Sequence, residues 1–294
     1  MHFSLWPAAA NSVDSILAEA RQAEDEGWDG VWIADHYMPN TSDGSPADGP
    51  THEAWALLAA IATVTERVRI GTLVSPTSVH HPALLANRAA TIDHLSQGRM
   101  VLGLGAGWQV NEHAVYGIPL EEPGPRVSRF EEAVRIVRSL LEEPRTTFHG
   151  RFYDLTDAPC EPKPVQQRLP ILVGTGSPRM LRITARHADE WNTWGLPESA
   201  AASRTALLQA CEQVGRDPGT IRCSVNAMVA LDGAPIPGRP VLAGSAAQIA
   251  DQIGQYAEVG YDEFIVNGGN LGATATERGD TIARIGAEVL AQVR

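Results

Sequence analysis

Asp35 and His36 put an acid and a base side by side directly after the apolar run at residues 30–34, where a strand should end. A carboxylate there can accept hydrogen bonds from a bound ring, and an imidazole can carry a proton near neutral pH, so the pair offers acid–base chemistry at a strand exit. A second candidate is Gly174-Thr175-Gly176-Ser177, lying between an apolar run and a helical stretch. Its backbone N–H groups and the positive end of the following helix suit a phosphate. Trp108 and Trp194 also fall near strand exits, where an indole can wall or stack on a flat ring. Gly103, Gly105 and Gly107 resemble a dinucleotide fingerprint, but Trp108 stands where that motif needs a small residue. They predict close backbone packing against a flat ligand instead.

Other chemistries lack their residues. His52-Glu53 is followed by Ala56 where a zincin helix carries its second histidine, and tandem His80-His81 points to opposite sides in most backbone conformations, so no metal site is expected. The loop at Gly174 lacks the Lys-Ser/Thr completion of a Walker motif. Ser177 is followed by Pro178 and has no glycine two residues on, so the nucleophile elbow of acyl transfer is missing.

These residues need a frame that gathers strand exits at one end. Strand-like and helical runs alternate along the chain. Residues 3–6 read as a strand, and residues 12–26 as a helix with Val13, Ile16, Leu17, Ala20 and Ala23 on one face, stopped by Gly27. Strand, helix and strand follow over residues 68–104, and the last of these, residues 100–104, shows no alternation, as a strand covered by helices on a parallel sheet requires. A helix is predicted over residues 127–141, and then the rhythm breaks. TTFHGRFYDL reads as a hairpin around His149-Gly150, followed by a run with Pro159, Pro162, Pro164 and Pro170. Strands at residues 171–173, 190–194, 222–231 and 263–266 then alternate with helices to the end, the last predicted over residues 276–293. The pattern predicts a single (β/α)8 TIM barrel over residues 1–294, with a hairpin and proline-rich insertion at 143–170 after strand four. Sites of this architecture lie at the carboxyl ends of the strands, so the loops at residues 38–51 and 232–240 are expected to form walls, the first as a lid.

The 23 basic and 35 acidic residues leave a net charge of −12, which disfavours nucleic acid and acidic membrane surfaces and points to a small-molecule substrate. Cys160, Cys211 and Cys223 share no disulfide or zinc-site spacing, so three reduced thiols are expected. Neither a secretory leader nor a membrane-spanning run is legible, and a cytoplasmic location is expected.

Together, DGVWIADHYMPN, VRIGTLVSPTSVHHPALLANRAATIDHLSQGRMVLGLGAGWQVNE and PILVGTGSPRMLRITARHADEWNTWG resemble the bacterial luciferase-like superfamily, and within it the branch that uses the deazaflavin coenzyme F420. The resemblance implies a homodimeric F420-dependent oxidoreductase with the ring in the barrel mouth. FMN is the alternative cofactor, in a luciferase-like monooxygenase, and a non-catalytic F420 carrier is a third reading. It also implies that Asp35 and His36 lie beside the ring and substrate, with His36 catalytic. Thr72-Leu73 matches a non-prolyl cis peptide against the ring's back face, Asn111 a polar contact to the ring, and Gly174 to Ser177 the phosphate loop. Members that oxidise sugar phosphates carry a glutamate acid where this chain has Trp108. That substrate is therefore not implied, and Trp108 with Trp194 reads as a substrate wall.

Overall fold

In the computed structural model, which describes residues 1–41 and 43–293, the apolar runs become the staves of a closed parallel barrel. In chain order the elements are β1 (His2–Trp6), α1 (Val13–Asp25), β2 (Gly30–Ile33), α2 (Ala54–Val64), β3 (Arg69–Thr72), the two-residue β4 (Ser75–Pro76), α3 (Pro82–Leu95) and β5 (Met100–Gly105). Then come α4 (Val110–Tyr116), α5 (Pro123–Glu142), the antiparallel hairpin β6 (Thr146–His149) and β7 (Asp154–Ala158), β8 (Ile171–Gly174), α6 (Pro178–His187), β9 (Glu190–Trp194) and α7 (Pro197–Val214). The chain ends with β10 (Arg222–Leu231), β11 (Val241–Gly244), α8 (Ala246–Glu258), β12 (Glu263–Asn267) and α9 (Ala275–Arg284). Barrel neighbours run β1, β2, β3, β5, β8, β9, β10, β12 and back to β1, all in parallel. This is the (β/α)8 architecture, and the hairpin stands between α5 and β8, outside the barrel wall.

Strand β5 shows how sequence sets the two cores. Met100, Leu102 and Leu104 face the surrounding helices and join the large outer core, while Val101 faces inward. Inside the barrel Trp32, Val101, Leu172 and Ile265 pack in one apolar layer. Below it, toward the amino ends of the strands, Glu263 accepts from Trp32 Nε1 (2.9 Å) and Ser4 Oγ (2.6 Å) and is paired with Arg222 (3.1 Å) and Arg69 (3.3 Å). The lower end of the barrel is thus plugged by charge and indole. Space remains above the apolar layer, at the carboxyl ends, where a barrel places its chemistry.

Several details differ from the sequence expectation, among them the short β4 and α4, which were not anticipated. Helix α5 starts at Pro123 rather than at residue 127, because proline is tolerated in a first helical turn where its missing N–H has no partner to lose. The closing helix ends as α at Arg284 and continues as a π turn over Ile285–Val289, a change of hydrogen-bond register that apolar spacing does not signal. Strand β11 was not anticipated; it pairs only with the far end of β10, Met228 to Leu231, beyond the barrel wall. No helix among the described residues is long and apolar enough to cross a membrane.

Candidate active site

A cavity of about 770 Å³ opens at the carboxyl ends of the strands. One side is built by Val74, whose side chain rests on a bed of glycines: a Cβ at Gly103, Gly105 or Gly174 would lie 3.1, 2.8 or 3.1 Å from it. Leu73, Val74, Gly105 and Gly174 all line the cavity, so this side is a smooth apolar face with backbone close behind it. The non-prolyl cis bond lies at Leu73–Val74, one residue beyond the Thr72-Leu73 position carried by the resemblance. The strand ladder persists that far, because Leu73 N–H still donates to Ile33 O at 2.8 Å. Gly103 is the tightest point of the bed, where an added Cβ would lie 1.9 Å from Thr72 O, a backbone atom that cannot rotate away. Gly103→Ala is expected to destabilise the fold by about 3 kcal/mol, the upper range for overpacking, measurable by urea denaturation; a loss within experimental error would refute this reading of the bed.

The Asp35-His36 pair divides its two side chains between opposite sides, as successive residues of an extended chain must. His36 turns into the cavity, and its Nδ1 lies 3.1 Å from Glu112 Oε1. The Trp108 indole stands edge-on to its ring, with centroids 5.5 Å apart and planes at 81°. Asp35 turns away and is fully buried. Its Oδ2 accepts from Trp55 Nε1 (3.1 Å), Ser75 Oγ and His80 Nε2 (2.9 Å). Burial alone would raise the Asp35 pKa, but the hydrogen bond and charge of His80, with the bonds from Ser75 and Trp55, outweigh it and hold the carboxyl below its ordinary range.

Across the cavity, Gly174, Thr175, Gly176 and Ser177 line the opening ahead of α6. Ser177 caps α6 without a side-chain hydrogen bond, and a Cβ at Gly176 would meet nothing within 4 Å, so the helix start is open to the cavity. Arg179 does not reach this opening, being held by Gly124 O (3.0 Å) and Ser128 Oγ (2.8 Å) on α5, whereas Arg126 of α5 does line the cavity. The remaining wall comes from Trp6 and Trp194, packed edge to face at 5.9 Å, and from Asn192 and Asn226. Asn226 is 3% exposed and its Oδ1 is buried without a hydrogen-bond partner.

Of the residues singled out from sequence, the cavity thus gathers His36, Leu73, Gly174, Thr175, Gly176, Ser177, Trp108 and Trp194. Asp35, Thr72 and Asn111 stand behind its wall. Thr72 Oγ1 donates to Gly103 O (2.8 Å), and Asn111 Nδ2 donates to Pro39 O (2.9 Å). Arg239 is the contribution of the 232–240 loop, while none of the described residues of the 38–51 loop lines the cavity; Ser42 of that loop lies outside the described residues. That first loop is instead anchored at its start, where Gln109 Nε2 holds Met38 O (2.9 Å) and Asn111 holds Pro39 O. Reading the sequence alone missed Glu112 and found no other titrating group on the strand exits adjoining the Asp35-His36 pair. No local signal marked Glu112, because the short helix α4 that carries it begins only at Val110. Asn226 lies two residues from Ser224 within β10, a polar position on a strand that turns apolar beyond it.

The sequence profile of the luciferase-like monooxygenase family matches residues 1–235, so the chain belongs to this family. An F420-dependent glucose-6-phosphate dehydrogenase of Kineococcus radiotolerans is 36% identical over 220 residues, covering 74% of this chain and 64% of the relative, so the match spans less than two thirds of that protein. An uncharacterised protein of Mycobacterium tuberculosis is 30% identical over 278 residues, covering 90% of this chain and 91% of its own. The coenzyme F420-dependent tetrahydromethanopterin reductase of Methanopyrus kandleri superposes with a TM-score of 0.85 over 100% of this chain and 99% of that one, at 18% identity, which is a likeness of fold.

Proposed function

We propose that this protein is an oxidoreductase that passes hydride between C5 of coenzyme F420 and a small organic substrate held in the barrel mouth. One arrangement carries the reading: a smooth face of Val74 on glycine, an open helix start at Gly174–Ser177 and an imidazole meet in one cavity. The residues fit the coenzyme. The Val74 face suits a flat tricyclic ring, the amides ahead of α6 suit its phosphate, and about 770 Å³ leaves room for a second small molecule. When bound, the deazaflavin supplies the carbon that takes or gives hydride. The chain supplies position and a proton relay. For an alcohol substrate, the O–H proton passes to His36 Nε2 as the carbon loses hydride; for a carbonyl, Nε2–H returns it to the forming oxygen. Trp6, Trp108 and Trp194 give the cavity an indole wall beside the reacting atoms. Trp108 and Trp194 also favour a substrate with an apolar or aromatic body, so the sugar phosphate in the name of the Kineococcus relative is not carried to this chain.

The test is binding. With tryptophans lining the cavity, quenching of indole fluorescence by oxidised F420 and by FMN reads both affinities directly, and F420 is expected to bind at least tenfold more tightly. A preference for FMN would overturn the assignment in favour of a flavin monooxygenase. Stable F420 binding without hydride transfer to or from a panel of ketones, enones, imines and alcohols would mark a carrier.

The reading includes a cytoplasmic location, which the free, buried thiols of Cys160, Cys211 and Cys223 support. It also includes a homodimer, supported by apolar residues that α3 leaves uncovered, with Leu84 56% and Leu95 43% exposed. Light scattering at micromolar concentration is expected to give twice the 31.5 kDa chain mass; a monomer there would remove the dimer from the proposal.

A further inference from the structure

We propose that Glu112 is the positioning residue for His36, holding the imidazole with its proton on Nδ1 and its Nε2 lone pair turned to the cavity. The purpose of this device rests on the hydride-transfer reading above, but its test does not.

An ionised carboxylate only accepts hydrogen bonds, so the 3.1 Å contact between Glu112 Oε1 and His36 Nδ1 places the proton on Nδ1. The other oxygen is also committed, since Oε2 accepts the backbone N–H of Tyr37 at 3.1 Å. With both oxygens engaged and only 2% of the residue exposed, the carboxylate plane has no freedom to leave the ring. The backbone under it is fixed as well. Gln109 and Asn111, on the same short segment, hold Met38 O and Pro39 O, so the segment that carries His36 and the helix that carries Glu112 are tied at successive residues. The Trp108 indole packs nearly at a right angle to the imidazole, with centroids 5.5 Å apart, and adds a contact on the ring that Glu112 holds. His36 Nε2, by contrast, has no protein partner among the described residues. A carboxylate on one imidazole nitrogen sets the tautomer and orientation of the other, and stabilises the imidazolium formed when that nitrogen takes a proton. Nε2 is thereby left as the acceptor of the substrate O–H proton.

Long-range proton–nitrogen correlation on protein with ¹⁵N-labelled histidine reads the tautomer without substrate, and the His36 signal among nine histidines is assigned by its loss in His36→Ala. The wild type is expected to show His36 protonated on Nδ1 at neutral pH. In Glu112→Ala that preference should disappear, and in Glu112→Gln it should weaken, because one amide cannot accept from both His36 and Tyr37. On any alcohol or carbonyl that the wild type turns over, Glu112→Ala should lower kcat roughly 10²-fold with KM and F420 affinity within about threefold. A wild-type His36 protonated on Nε2 overturns the proposal even if no Glu112 variant folds. So does an unchanged tautomer in folded Glu112→Ala, or a variant pair in which Glu112→Ala is inactive while His36→Ala is not. Failure of the wild type on every substrate would count against the hydride-transfer reading and leave the tautomer result standing on its own.

Discussion

His36→Ala is expected to lower kcat by roughly 10² to 10⁴ while F420 affinity changes by no more than a few-fold, the usual span for loss of a general acid or base. The asymmetry follows from where the ring sits. His36 reaches the cavity from the exit of β2, whereas the Val74 face is backed by glycines of β5 and β8 and the open helix start belongs to α6. Deleting it removes a proton carrier and leaves the surfaces proposed to hold the ring and the phosphate. Deletion also strands Glu112 Oε1 in a buried position, so the variant should lose stability as well as turnover. His36→Gln, which keeps a group able to donate to Glu112, separates the two effects: it should regain stability and not turnover. Single-turnover kinetics give the chemical step and fluorescence quenching gives affinity. Near-wild-type turnover of His36→Ala on a substrate that must exchange a proton would make His36 a wall residue only.

The legible part of this molecule is the part that short stretches of sequence decide. Residues 100–105 are apolar without alternation and become β5, buried on both faces. TTFHGRFYDL supplies β6 and the start of β7, and the turn between them is closed by Gly150 N–H donating to Tyr153 O at 2.9 Å. Strand exits followed, and with them His36, Trp108, Trp194 and the loop at Gly174 to Ser177. What stayed hidden depends on direction and distance rather than on residue type. Nothing local says that Asp35 turns toward Trp55, Ser75 and His80 while His36 turns inward, since the choice is made by which side of the barrel wall the chain emerges on. Asn111 is a polar residue beside the site in sequence, yet its Nδ2 donates to Pro39 O, while its buried Oδ1 has no partner. Helix α4 is too short for apolar periodicity to register and has no side-chain cap, so Glu112 had no element to sit on. The glycines of β5 were read as making room for a ligand. They make room first for Val74, and the pairing of Val74 with Gly103, Gly105 and Gly174 joins three separate strand exits that no motif links.

Asp35→Asn is expected to fail in a different way from His36→Ala, through the fold and the cavity wall. Oδ2 of Asp35 collects Trp55 from α2, Ser75 from β4 and His80 from the turn before α3. His80 Nδ1 lies 3.2 Å from Arg88 Nη1, so a guanidinium stands behind the imidazole that reaches the carboxylate. Replacing the carboxylate by an amide halves the acceptor capacity and can set an N–H against buried donors. Breaking a buried pair of this kind costs about 3–5 kcal/mol. Ser75 adjoins Val74, so the same loss should shift the apolar face and weaken F420 binding, whereas the chemical step on bound coenzyme should suffer less than in His36→Ala. The pH dependence has a definite sign. Because the folded pKa of Asp35 is depressed, its contribution to stability is present in full above the ordinary carboxylate range, about 3.9, and is lost as pH falls through the folded value. Urea denaturation should therefore show a constant gap between wild type and Asp35→Asn from pH 7 to about 5, closing below about pH 4 as the wild-type carboxyl protonates. Equal stability of the two proteins at pH 7, or a gap that persists undiminished once the carboxyl is protonated, would show that the charge on Asp35 does not hold this corner of the barrel together.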